Sequence, residues 1–457
     1  MPRAVGALAL VAVVVAACSS GANKKAETNT PPAATATTGR QTAASGWPTY
    51  HHDAARTGVA DDQAALGQPG KAWQSAALDG AVYAQPLVAG DKVVAATEAN
   101  SVYALDPASG RQSWRAPLGQ AVSGDSLPCG NIDPSGITGT PVADPATSTL
   151  YVVAFLADGP HHELFALDLA TGAVRWHRAI DPPGLSPRVE QERGALALTG
   201  GRVLVPYGGL LGDCGAYKGA VVSAAADGTG DLSSYVVPAG REAGIWNPAG
   251  ETVDATGDIW VNTGNSASQG AFDYGNAVVH VTAQLRGADF FAPREWARLN
   301  AGDTDLGSTS PVLVGETRIF AAGKSGIAYL LDRAHLGGIG GALTQADVCD
   351  SAFGQPAVQS TVVFLPCVDG LVAVRTDGDK LTRVWRHDGR AGPPIVAAGA
   401  VWVLDGSGRV SALDPTNGTE RYRTQISEPV SRFVSMAAAG GRLFVPAVDH
   451  IIALSLR

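Results

Sequence analysis

Cysteine, histidine and the glycine-flanked Lys324 are the residues of this 457-residue chain whose types and spacing could do chemistry, and most standard reactions fail on spacing alone. Gly323-Lys324-Ser325-Gly326 has a glycine-lysine step but lacks the strand-turn-helix setting that aims backbone N–H groups at a phosphate. There is no two-histidine zinc helix and no nucleophile elbow, and the histidines show no metal-ligand spacing. His51 and His52 could be ligands, but their stretch, WPTYHHDAARTG from Trp47 to Gly58, reads as a lead-in that packs Trp47 and Tyr50 on the body. Cys129, Cys214, Cys349 and Cys367 are irregularly spaced without flanking histidine, which argues for disulfides over a metal. Three pairings are open; Cys349 with Cys367, close in sequence, and Cys129 with Cys214, both in glycine-rich insertions, are favoured. A net charge of −9 without a Lys/Arg cluster leaves no footprint for nucleic acid. Any active site must therefore be assembled by the fold from separated residues.

The elements that would do so repeat. ALDPASGRQSW, Ala104 to Trp114, returns as ALDLATGAVRW, Ala166 to Trp176, and ALDPTNGTERY, Ala412 to Tyr422. Each reads as a strand, a turn with an Asp cap and a Gly free to take positive φ, and a strand start with an aromatic. A hairpin recurring at roughly 45 residues predicts a propeller or solenoid. Blade-sized units run 82–118, 136–180, 194–238, 243–293, 307–348, 351–388, 391–426 and from Val430 to the end. The last is one strand short, and a lone strand at Lys71–Leu78 supplies it if the ring closes through both termini. The fold expected is all-β, an eight-bladed propeller of four-stranded antiparallel blades, with seven blades as the fallback. Helix is nearly absent; Arg333 to Gln345 is too rich in Gly for one.

The N-terminus carries Arg3 and an apolar run, Ala7 to Ala17, too short for a membrane span. Val15-Ala16-Ala17-Cys18 resembles the lipobox of bacterial lipoproteins, which implies lipidation at Cys18. Residues 1–18 are thus a signal peptide, 19–45 a polar tether unable to fold, and 46–457 the propeller, anchored to the membrane from its extracytoplasmic side.

The repeat and the lead-in resemble those of pyrroloquinoline-quinone (PQQ) dehydrogenases, a likeness covering nearly everything from Trp47. The same repeat builds the lipoprotein that assists outer-membrane protein assembly, which has no cofactor. Four local stretches carry the dehydrogenase resemblance. GIWNPAGETVDATGDIWVNTGN, Gly244 to Asn265, implies Trp246 as the floor under the quinone and Asn265 as a calcium ligand. DTDLGSTSPVL, Asp303 to Leu313, implies a catalytic base at the metal, best placed at Asp305, with Asp303 second. GKSGIAYLLDR implies Lys324 against the quinone oxygens, and GDCGAYKG puts Asp213 where the family has a metal-binding Glu. The resemblance implies PQQ and calcium as cofactors and an alcohol or sugar hydroxyl as substrate; the alternative is a cofactor-free scaffold for a polypeptide or envelope component. No Cys-x-x-Cys-His haem site is present, so electrons would leave to an external acceptor. The repeat fails at VVSAAADGTG and VVHVTAQLRG, in the third to fifth units that carry the candidates, and an active site there requires them to converge.

Overall fold

A computed structural model describes residues 46–60, 65–426, 429–431 and 433–457. The expected signal peptide, Cys18 and the tether lie outside these residues. Eight antiparallel sheets of four principal strands follow one another along the chain as the blades of a propeller. Blade 1 comprises Leu87–Ala89, Lys92–Thr97, Ser101–Leu105 and Gln112–Pro117. Its first three strands are buried and the fourth alternates, as expected for a sheet with its outer edge in water. Blades 2 to 7 occupy 142–179, 197–236, 252–292, 312–347, 357–388 and 395–425. Among the described residues helix is confined to Trp296–Ala301 and two single 3₁₀ turns.

Blade 8 has Ala437–Ala439, Arg442–Ala447 and His450–Ser455, and takes its outermost strand from Gly70–Gln74, with Trp73 opposite Ala453. The ring therefore closes by mixing the termini. That strand ends four residues before Leu78, because the chain turns toward blade 1, where Asp79 accepts hydrogen bonds from Thr97 and Ser101.

The repeated module is a latch between blades. Trp114 donates its indole N–H to the carbonyl of Leu169, in the next blade's module, and Trp73 and Trp385 do the same to Pro107 and Pro415. Gly172 sits beneath the Trp114 ring with φ +76°, and a Cβ there would lie 2.6 Å from the indole. Gly110 under Trp73 and Gly418 under Trp385 are equivalent. Each latch needs an L-disfavoured backbone and a bare face at one position, and glycine alone meets both conditions. The turn is held by Asp106, Asp168 and Asp414, which accept backbone N–H groups two or three residues on.

The lead-in is more than packing. From Trp47 to Ala60 its backbone bonds to the innermost strands or entry segments of blades 1, 2, 4, 6 and 7 through Val88, Ala143, Val253, Val358 and Val396. It thus crosses the ring and closes the axis from within. Trp47 and Tyr50 are buried, as expected, and so is Arg56, whose guanidinium donates to the carbonyls of Tyr50, Ala195, Leu196 and Glu251 and to Thr49 Oγ1. Multiple neutral acceptors around one buried cation make this segment a cross-brace for blades 3 and 4.

Candidate functional site

Two kinds of segment reach the axis above the lead-in: the chain entering each innermost strand, and the turn between a blade's second and third strands. Where both are regular they are short. In blades 3 to 5 they are lengthened or altered, and together with the segments entering blades 6 and 8 they enclose a cavity of about 180 Å³. Asp213, Trp246, Asn265, Asp303, Asp305 and Lys324 all line it. The candidates separated by over a hundred positions in sequence are therefore brought together.

Asp305 is the centre. It is 3% exposed, and both its oxygens are engaged: Oδ1 accepts the main-chain N–H of Asn265 at 2.5 Å, and Oδ2 lies 2.6 Å from Lys324 Nζ. Lys324 Nζ also meets Asp303 Oδ1 at 2.9 Å, while its own N–H donates to the Asp305 carbonyl, so one turn of blade 5 grips the other. Burial pushes the Asp305 carboxyl up, against the opposing pull of Lys324. Burial works against the Lys324 ammonium, but Asp305 and Asp303 outweigh it and raise its pKa. The approach depends on Gly264, where a Cβ would stand 2.9 Å from Asp305 Oδ1 and 3.0 Å from the indole nitrogen of Trp246.

Trp246 enters from the segment leading into blade 4, with Lys324 Nζ 5.8 Å from its ring centroid. Asp213 stands at the exposed rim, in the blade 3 insertion, and accepts the Tyr217 hydroxyl at 2.6 Å. The Tyr217 ring lies against Gly209, where a Cβ would come within 2.4 Å of it. Cys129 and Cys214 form a disulfide that ties this insertion to the connection between blades 1 and 2, and Cys349 and Cys367 form a second where blade 5 passes into blade 6.

Among the lining residues that sequence reasoning missed are Arg193, Tyr217, Phe353 and Phe433. Arg193 stacks on Phe433 at 4.3 Å and stands 6.0 Å from Trp246, and Phe433 meets Trp246 edge-on. A positional signal was available, since Arg193, Phe353 and Phe433 each lie four residues before the innermost strand of their blade.

The donor set suits one implied group and not the other. A planar, multiply anionic molecule finds an indole face, two cationic side chains and glycine backbone at Gly209, Gly212 and Gly264. Calcium requires six to eight oxygen ligands. Here the Asp305 oxygens are taken by Lys324 and a backbone N–H, and an oxygen of Asp213 by Tyr217. Among the described residues the single trio of Cys, His or acidic ligand atoms close enough to share an ion is Cys349, Cys367 and Asp369, and those cysteines are oxidised. The residues present do not fit calcium.

Fold and module together define a propeller of PQQ-like repeats. A family model described as outer membrane protein assembly factor BamB matches residues 55–207 and 368–456, more than half of the chain, and the chain belongs to that family. No curated protein matches it significantly. Among solved structures, the quinohemoprotein alcohol dehydrogenase ADHIIG of Pseudomonas putida HK5 is similar with a TM-score of 0.72 at 14% identity, covering 90% of this chain and 80% of that one. A europium-containing methanol dehydrogenase gives 0.67 at 12% identity, over 90% and 98% of the two chains. BamB from Moraxella catarrhalis gives 0.57 at 15% identity, over 85% and 98%. At such identities the likeness is one of fold.

Proposed function

We propose that the protein is an extracytoplasmic lipoprotein, tethered through Cys18, whose axial cavity binds a quinone of the PQQ class and oxidises an alcohol or sugar hydroxyl. The observation that supports this reading is the enclosure of Asp305, Lys324, Trp246, Asn265, Asp303 and Asp213 around one cavity. Packing or turn capping alone gives no reason for them to meet. At about 180 Å³ the cavity is smaller than sites that engulf a drug-sized molecule, so it takes the reacting edge of the ligand and leaves the rest at the mouth.

When bound, a quinone of this class accepts the hydride of the substrate carbon. Asp305 takes the hydroxyl proton: its raised pKa makes it a stronger base than a solvated carboxylate, and the Asn265 N–H fixes its orientation. Lys324, held against both aspartates, puts positive charge beside the oxygens where negative charge develops. Trp246 offers the flat surface, and Arg193 a second cation for carboxylates at the mouth. Because the base must be ionised, turnover should fall as pH drops through the Asp305 pKa. Titrating the full-length protein in detergent with PQQ, following tryptophan fluorescence and dye reduction, tests the proposal; no binding at micromolar quinone sinks it.

A second reading, a scaffold for a polypeptide or envelope component, draws support from the family and from the exposed side chains of Ile339 and Leu343 beside blade 5. A photo-crosslinking residue at either position in cells would capture a discrete envelope protein if it holds.

A further inference from the structure

We propose that this site works without a divalent metal, with the ammonium of Lys324 as its resident cation. The inference rests on the quinone reading for the identity of the ligand, but not for its central claim, which concerns the site's own side chains.

Three carboxylates line the cavity, and each is already engaged. Lys324 Nζ is 2.9 Å from Asp303 Oδ1 and 2.6 Å from Asp305 Oδ2, a position that a metal ion bridging the same oxygens would need. An ion there would face an ammonium within contact distance, and that repulsion is screened less than at the surface because the Asp305 carboxylate is so deeply buried. The second oxygen of Asp305 already accepts the Asn265 N–H, which occupies one of its two lone pairs. Asn265 reaches Asp305 through its backbone. Asp213, the remaining acid, sits on the solvent rim with the Tyr217 hydroxyl on Oδ1, and Tyr217 is itself wedged against Gly209. Without taking the acceptor from a buried phenol, Asp213 could offer a metal only its outer oxygen. A strongly hydrated hard cation with six or more oxygen sites to fill gains too little from such a wall. An ammonium on a flexible stem needs three acceptors, and Asp305, Asp303 Oδ1 and the Asp303 carbonyl provide them.

The test uses the full-length protein, stripped of metal, and calcium alone. Isothermal titration to about 1 mM calcium is expected to show no saturable binding, and terbium, a luminescent stand-in excited through Trp246, no saturable emission. Lys324→Met is expected to gain terbium emission, and Lys324→Met with Asp305→Asn to lose it again. PQQ affinity should differ by less than about threefold between chelator and calcium buffers. Saturable calcium or terbium binding by the wild-type protein that Asp305→Asn abolishes would overturn the inference, as would PQQ affinity more than about tenfold tighter with calcium. If PQQ binds in neither buffer, the functional reading fails, and the calcium and terbium titrations still decide the metal question.

Discussion

Blades 1, 2 and 7 keep the hairpin module intact, whereas blades 3 to 5 have lost it, and the two groups use their side chains differently. The modules of the regular blades accept the indoles of Trp73, Trp114 and Trp385, each supplied by the preceding blade, and their aspartates cap turns. In the irregular blades Trp246 is left half-exposed over a cavity and Asp305 is buried against a lysine. The family match runs over the first group and omits residues 208–367, the interval that holds all six candidate residues. A side chain freed from the latch becomes available to a ligand. The regular part of the ring should then carry stability and the irregular part affinity and turnover, and substitutions can separate the two.

The largest expected effect is on turnover. Asp305→Asn preserves shape but removes the base, and PQQ-dependent dye reduction should fall by about 10²–10⁴-fold with the melting temperature nearly unchanged. An equal loss of stability would mean that Asp305 is structural and would erase the distinction between the regions. The converse change is Trp114→Ala, which empties a latch and leaves the Leu169 carbonyl without its donor. It should cost about 3–5 kcal/mol by urea unfolding, while quinone affinity stays within about threefold. A fall in affinity alongside stability would show that the blades do not act separately.

The fold was legible because the module repeats: an Asp, a positive-φ Gly and an aromatic at fixed spacing define the hairpin. Closure through Gly70–Gln74 followed from a missing strand. What the module could not reveal was the partner of its aromatic, since Trp114 and Gly172 lie 58 positions apart in different blades. The candidate site was legible only through local resemblance, residue by residue, and the contacts among those residues were not. Arg193 and Phe433 carry no motif and are recruited by their place before an innermost strand. The burial of Arg56 in the lead-in depends on carbonyls from blades 3 and 4 that no local pattern announces.

The two disulfides sharpen the same division. Cys129 and Cys214 enclose 85 positions and Cys349 and Cys367 only 18, so chain entropy makes the first more stabilising, about 4.6 against ~3.2 kcal/mol. Replacing Cys129 and Cys214 with Ser should also weaken PQQ binding, since Asp213 and Tyr217 ride on the bridged insertion. Replacing Cys349 and Cys367 should lower the unfolding midpoint and leave affinity alone.

A pH dependence of stability also divides the molecule. Carboxylates in the module turns are held low: Asp168 falls to about 2 through Arg175 and Thr171, and Asp414 is lowered by the Thr416 N–H and Arg421. The glutamates near the axis are pushed the other way by burial, Glu98 and Glu251 to about 7 and Glu190 to about 8, and neither Glu251 oxygen has a hydrogen-bond partner. An acid whose folded pKa exceeds its unfolded value near 4.5 takes up a proton on folding at intermediate pH. Its contribution is therefore complete below about pH 4.5 and is lost as pH rises through 7 to 8, on the order of 2–3 kcal/mol for a fully buried group. The module aspartates act oppositely, losing stability as pH falls through their lowered pKa values. Urea midpoints should thus be higher at pH 5.5 than at pH 8.5, and Glu251→Gln, which fixes the neutral form, should flatten that slope. A midpoint that rises toward pH 8.5 would show these glutamates ionised in the folded ring, with Arg56 balancing Glu251 as an ion pair and not merely bracing carbonyls.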